Sequence, residues 1–190
     1  VQSMCSATDS SIWSVKGLFC TNQIPAVVPL NIDFESPSGL TLVNNPAGNN
    51  WYIGTDTAHT VNNTTGGQNA LYISNDNGLT NAYTIANSAA VVWAYRDIYF
   101  TPSSADYTLT FDWRLYGETD NWDYMNVYAG PLNTPTPLYL SYNIIPPIGS
   151  DTLASYINLQ STYQTKTIIL PFAQYSGQTK RIFFCWRNDS

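Results

Sequence analysis

The stretch Phe111 to Gly130 reads FDWRLYGETDNWDYMNVYAG and crowds Glu118, Asp120, Asn121 and Asp123 into six residues. Three chemistries suit such a cluster. A glycosidase needs two carboxylates about 5–10 Å apart on opposite sides of a cleft. Glu118 and Asp123 could meet the distance, but one loop supplies no opposed geometry. A calcium loop needs a turn glycine and ligand spacing that this segment lacks. A turn needs only side chains that bond their own backbone, which Asp and Asn do well. The turn is the best-supported of the three.

Other candidates for chemistry are sparse. His59, the sole histidine, sits in the polar run Thr55-Asp56-Thr57-Ala58-His59-Thr60. A Ser-His-Asp triad needs a serine on a rigid turn beside the imidazole, and no G-x-S-x-G context is present. His59 therefore reads as an exposed loop residue. Gly66-Gly67 is a turn signal with no helix after it to receive a phosphate. Cys5, Cys20 and Cys185 fit no zinc or CxxC spacing. With Thr8 to Ser11 as the first turn, Cys5 faces Ser14. A Cys5–Cys20 bridge is not favoured by that register, and all three cysteines read as unpaired.

The elements that carry these residues are strands. Ala70–Ser74, Val91–Phe100, Tyr107–Leu115, Tyr124–Ala129, Thr165–Leu170 and Arg181–Trp186 alternate with period two between Gly, Pro, Asn and Asp punctuation. Asn75-Asp76-Asn77-Gly78 is a turn signal. The Tyr156–Tyr163 stretch reads as a turn or a brief helix. Folding the 111–130 segment as a hairpin places Phe111, Trp113 and Leu115 opposite Ala129, Val127 and Met125, all on one apolar face. Its other face pairs Asp112 with Tyr128, Arg114 with Asn126 and Tyr116 with Tyr124. Flat aromatic rings beside polar donors suit sugar stacking or a protein anchor. Arg114, Tyr116, Tyr124, Asn126 and Tyr128 are thus the candidate ligand-binding residues.

The totals exclude some partners. The 190 residues are 44% hydrophobic and 11% charged, with a net charge of −6. Seven scattered Lys and Arg form no basic stripe, so no nucleic-acid partner is expected. No apolar run reaches the roughly 18–20 residues of a membrane span. Few charges and many Tyr, Trp, Asn, Thr and Ser accord with secreted or surface β-proteins.

Two prolines bracket an apolar run at Thr21 to Leu30 (TNQIPAVVPL), which reads as a linker. Before it lie only two strands, too few to be stable alone. After the strong strand at Arg181–Trp186 no closing element follows. The sequence reads as an excerpt that begins inside one domain and ends just short of completing the next.

Several motifs, in order, carry a family resemblance: Asn31 to Glu35 (NIDFE), Trp51 to Gly54 (WYIG), Gly67 to Gly78 (GQNALYISNDNG), Tyr95 to Phe100 (YRDIYF), Phe111 to Glu118 (FDWRLYGE) and the final FFCWRND. They resemble the MAM-like jelly-roll modules of Bacteroidota surface proteins, the choice-of-anchor J domains related to cleaved adhesin domains. Val1 to Thr21, closing on Phe19-Cys20-Thr21, is similar to the C-terminal hairpin of a fibronectin type III domain. The resemblance implies an all-β chain: a fibronectin-like fragment at 1–21, a linker at 22–30, and an antiparallel two-sheet jelly-roll β-sandwich at 31–190 lacking its last strand. It also implies a non-catalytic, extracellular or cell-surface adhesion module binding glycan or protein, beside neighbouring domains of the same chain. The alternatives are a structural spacer or an accessory domain of a secreted peptidase. Jelly rolls of this kind often carry a structural calcium ion held by an acidic residue of the first strand, which Glu35 with Asp33 beside it matches, and by an Asp of the last strand, which this reading leaves outside the sequence. Asp56-Thr57-Ala58 and Asp151-Thr152-Leu153 fit a Bacteroidota O-glycosylation motif. Asn62, Asn63 and Asn188 begin N-x-S/T sequons.

Overall fold

The computed structural model describes residues 4–6, 9–10, 23–45, 48–55, 67–84, 89–137 and 144–189. Nearly all the regular secondary structure of the described chain is strand. In order these are β1 (Met4–Ser6), β2 (Asp9–Ser10), β3 (Ala26–Val27), β4 (Thr41–Val43), β5 (Asn50–Gly54), β6 (Ala70–Ser74), β7 (Ala90–Tyr99), β8 (Tyr107–Leu115), β9 (Tyr124–Pro131), β10 (Asp151–Ile157), β11 (Gln160–Leu170) and β12 (Thr179–Asn188). One short helix, α1 (Phe172–Tyr175), precedes β12.

A large sheet runs β10-β9-β12-β7-β3, and β4 pairs with β7 beside β3. Opposite it lie two two-stranded pieces, β11-β8 and β5-β6. The alternation read from sequence decides what faces inward. Val92 and Ala94 of β7, Met125, Val127 and Ala129 of β9, and Ile182 and Trp186 of β12 enter one core, against which Phe111, Trp113 and Leu115 of β8 pack. Phe111 and Phe184 meet edge to face across the layers, centroids 5.3 Å apart. Each such side chain fully removed from water contributes about 1.5–3 kcal/mol. The result is an all-β sandwich.

The hairpin register expected for 111–130 is not formed. Residues of β8 pair with β11, Phe111 opposite Lys166 and Trp113 opposite Gln164, while β9 pairs with β10 and β12. The two apolar faces do meet, but across the sandwich. The segment 116–123 crosses from one layer to the other.

Both faces of the large sheet are covered. Val91, Trp93, Tyr95, Tyr128, Phe183 and Cys185 form a second buried cluster on the outer side, joined by Val43 and Ile144. β7, an almost unbroken apolar run, is buried on both faces, as such runs are in doubly covered sheets. Beside this cluster Asp97 and Arg181 form a buried, two-pronged ion pair at 2.7 and 2.9 Å. The Arg181 guanidinium also donates to the Thr134 carbonyl at 2.9 Å and lies 4.0 Å from the Tyr95 ring centroid.

Three other expectations change. The stretch read as a linker is docked: Ala26 and Val27 pair in parallel with Ile98 and Tyr99. Gln23 there donates to the Tyr95 carbonyl and accepts from Asp97 N–H. Proline suits this position because edge strands need no second row of donors. Next, Tyr156–Tyr163 is no helix but a tight β10–β11 connection, with Leu159 at a φ of 57°. Finally, β1 pairs with β2 through Met4–Ser10 and Ser6–Asp9, a tighter turn than the Thr8–Ser11 reading. Residues 11–22, and so the pairing of Cys20, lie outside the described residues.

Candidate recognition surface

The 116–123 crossing is shaped by one buried carboxylate. Asp123 accepts a short hydrogen bond from the Tyr83 hydroxyl, and the Glu118 N–H donates to the same oxygen at 3.1 Å. Burial, then that hydrogen bond and charge, raises the Tyr83 phenol well above its ordinary range. The Tyr83 ring stands edge-on to Trp186, centroids 5.1 Å apart. Gly117 closes the pair from above, because a Cβ there would lie 2.4 Å from the Tyr83 oxygen and 2.8 Å from the Asp123 carboxylate. Asp120 and Asn121 turn the chain with φ of 65° and 61°, a conformation these two residue types tolerate. The acidic cluster is therefore a turn with a buried acceptor. Asp123 faces Tyr83 rather than solvent.

The same turn lifts aromatic rings into solvent. Arg187 Nη1 donates to the Trp122 carbonyl at 2.6 Å, and its guanidinium lies 5.4 Å from the Tyr124 ring centroid. Tyr124 in turn lies 4.8 Å from the Tyr156 ring. From the β10–β11 turn, Asn158 Nδ2 donates to Asn121 Oδ1 at 3.0 Å. These links tie the turn that carries Trp122, 49% exposed, to β10, which carries Tyr156, 57% exposed; Tyr116, 74% exposed, lies on the same crossing segment. Asp120, Asn121 and Asn158 supply polar groups among them. Two open rings beside fixed amides can stack on a flat apolar face and hydrogen-bond its hydroxyl rim.

The five sequence-derived binding residues do not form one face. Arg114 and Tyr116 stand on the outer side of β8, where Arg114 lies 5.2 Å from the Tyr163 ring. Tyr124, Asn126 and Tyr128 stand on the outer side of the large sheet and are all at most 7% exposed. Asn126 donates to the Tyr128 hydroxyl at 2.7 Å and accepts from Tyr156 N–H at 2.9 Å. Burial pushes the Tyr128 phenol up to about 12. These three are packing residues, and only Tyr116 of the five keeps a free ring. Trp122 and Tyr156 were missed. Trp122 lies between Asn121 and Asp123 in a turn, where no strand partner could bury it, and that context was the available signal.

Asp33 and Glu35 are engaged by N–H donors. Glu35 Oε1 accepts from the Gln68 and Asn69 backbones at 2.6 and 2.7 Å, and Oε2 accepts from Asn69 Nδ2 at 2.8 Å. Asp33 Oδ1 accepts from Glu35 and Ser36 N–H. Three donors aimed at one carboxylate make Glu35 a strut between loops. Among the described residues no three His, Cys, Asp or Glu gather in a metal-holding group.

His59, Asn62, Asn63 and the Asp56-Thr57-Ala58 motif lie outside the described residues. Asn188 is buried and accepts from Asn49 Nδ2 at 3.2 Å, so its sequon is closed to a glycan. Cys185 is free and fully buried, which raises its thiol pKa well above the ordinary value. Among the described residues no helix is long and apolar enough to cross a membrane.

No protein-family model matches the chain, and no curated protein matches it.

Proposed function

We propose that this chain is a non-catalytic extracellular recognition module of the MAM-like jelly-roll kind, preceded by a fibronectin-like hairpin, and that it binds glycan at the β8–β9 tip. The observation that carries this reading is the exposed pair Trp122 and Tyr156, held by Arg187, Tyr124 and the Asn121–Asn158 bond. The two exposed rings offer flat apolar area that a ligand's apolar face can cover. The low charge and the strand-rich design favour a surface or secreted setting.

The test is a glycan-array screen of the folded chain, repeated with Trp122→Ala and Tyr156→Ala. Binding that falls about ten-fold or more in either variant supports the reading, as loss of a stacking ring removes on the order of 1–3 kcal/mol. Both variants should keep the parent's melting temperature. A blank array from folded protein, or binding indifferent to both substitutions, overturns the site and favours a spacer or peptidase-accessory role.

A further inference from the structure

A cleft of about 1110 Å³ lies between the layers, just above the roughly 300–1,000 Å³ of ordinary ligand pockets. Its floor is the inner face of the large sheet, with Ile98, Met125, Ile182 and Phe184, and Leu71 and Leu109 stand on its walls. Such a lining favours an extended apolar body, whose transfer from water releases free energy in proportion to the area covered.

One floor residue breaks the apolar pattern. Alternation along β7 puts Arg96 on the inner face between Ala94 and Ile98, both of the core, and Arg96 lines the cleft. Its Nη1 donates to Gln23 Oε1 and to the Ile24 carbonyl, both at 3.1 Å. Those acceptors are neutral, and among the described residues no carboxylate forms an ion pair with it. Its Nε is buried with no acceptor. Gly39 packs directly on the group, since a Cβ there would lie 3.0 Å from Arg96 Cζ. Asp33, a carboxylate of the same lining, accepts instead from Glu35 and Ser36 N–H.

A second donor borders the same space. Trp51 lines the cleft and is 5% exposed, and its indole N–H has no acceptor. Buried donors ordinarily have partners, and a guanidinium without a counter-ion favours an anion. Apolar walls alone would take any apolar body. The uncompensated charge and the two unmet donors select one that carries an acidic head.

We propose that the cleft is a binding site for a single-chain amphipathic carboxylate of the fatty-acid kind, with its chain along the apolar floor and its carboxylate at Arg96. This site is separate from the β8–β9 tip and does not depend on glycan binding there.

The test is calorimetric titration of the folded chain with decanoate, kept below micelle formation, and with decan-1-ol, which has the same chain and no charge. One decanoate should bind per chain, and decanol about ten-fold or more weakly, the scale of one hydrogen bond to a charged group. Arg96→Met should bring decanoate down to the level of decanol, whereas Arg96→Lys should keep the preference for the acid. Leu109→Trp, which fills the cleft, should weaken both ligands. Melting midpoints establish that each variant is folded, and the comparison of the two ligands on the parent chain stands without any variant. Four results overturn the proposal: no decanoate binding, several decanoates adsorbed per chain as by a detergent, decanol binding as tightly as decanoate, or an acid preference that survives Arg96→Met or binding that survives Leu109→Trp in folded protein.

Discussion

Replacing Asp97 with alanine is the sharpest test of how the large sheet is held together. The carboxylate is fully buried and meets Arg181 through two hydrogen bonds. Burial alone would lower the Arg181 pKa, yet the hydrogen bond and charge of Asp97 outweigh it and leave the pKa raised. Without Asp97 the guanidinium keeps only the Thr134 carbonyl and the face of Tyr95. Stranding a buried charge in this way costs about 3–5 kcal/mol. For a chain of this size each kcal/mol lowers the melting midpoint by about 2–4 °C, so the fall is about 6–20 °C. Guanidinium unfolding should show a lower midpoint at an unchanged slope, the sign of lost stability without a new denatured state. The paired change Asp97→Leu with Arg181→Met should recover most of the loss, since an apolar pair of similar volume removes the stranded charge. An Asp97→Ala variant within about 1 kcal/mol of the parent would place the pair with ordinary surface bridges and refute the reasoning.

Two further outcomes follow from the tip and the β6 turn. Gly117→Ala should cost about 1–3 kcal/mol in denaturant unfolding, because the new methyl pushes Tyr83 off the buried Asp123 carboxylate; an unchanged midpoint would mean that the crossing is looser than drawn. Asp76, bonded first by the Ser74 hydroxyl and then by Thr80, has its carboxyl pKa lowered to about 2 from the ordinary 3.8. Its contribution to stability is therefore complete above 3.8 and lost as pH falls through about 2. A carbon-detected titration should find its midpoint near 2, and a midpoint near 3.8 would refute the hydrogen-bonded turn.

Much of the fold was legible because period-two alternation reports burial. Ala70–Ser74 and Tyr107–Leu115 were read to their ends, and Phe111, Trp113, Leu115, Met125, Val127 and Ala129 do share a core. Alternation does not report which strand lies alongside. Two apolar faces meet equally well as neighbours in a sheet or across a sandwich, and here they meet across it. The binding face failed for a related reason. Tyr124, Asn126 and Tyr128 do point away from the main core, but an outer face is not an exposed one. The run Val91–Tyr95 held the correction, since Trp93 and Tyr95 had to be covered on that same side. The strands β3, β4, β5 and β10 escaped; β3 and β4 are very short, and β10 carries bulges that break its period.

The position of β12 has a consequence for the order of assembly. It pairs with β7 on one side and β9 on the other, along nearly its whole length. The middle of the sheet is therefore made of residues 179–188, whereas its neighbours are made tens of residues earlier. Contacts of such sequence separation form slowly, because the intervening chain must first be closed into a loop. A nascent chain extending only to Tyr175 holds β7 and β9 with no strand between them. Closing the large sheet between β7 and β9 therefore waits for β12.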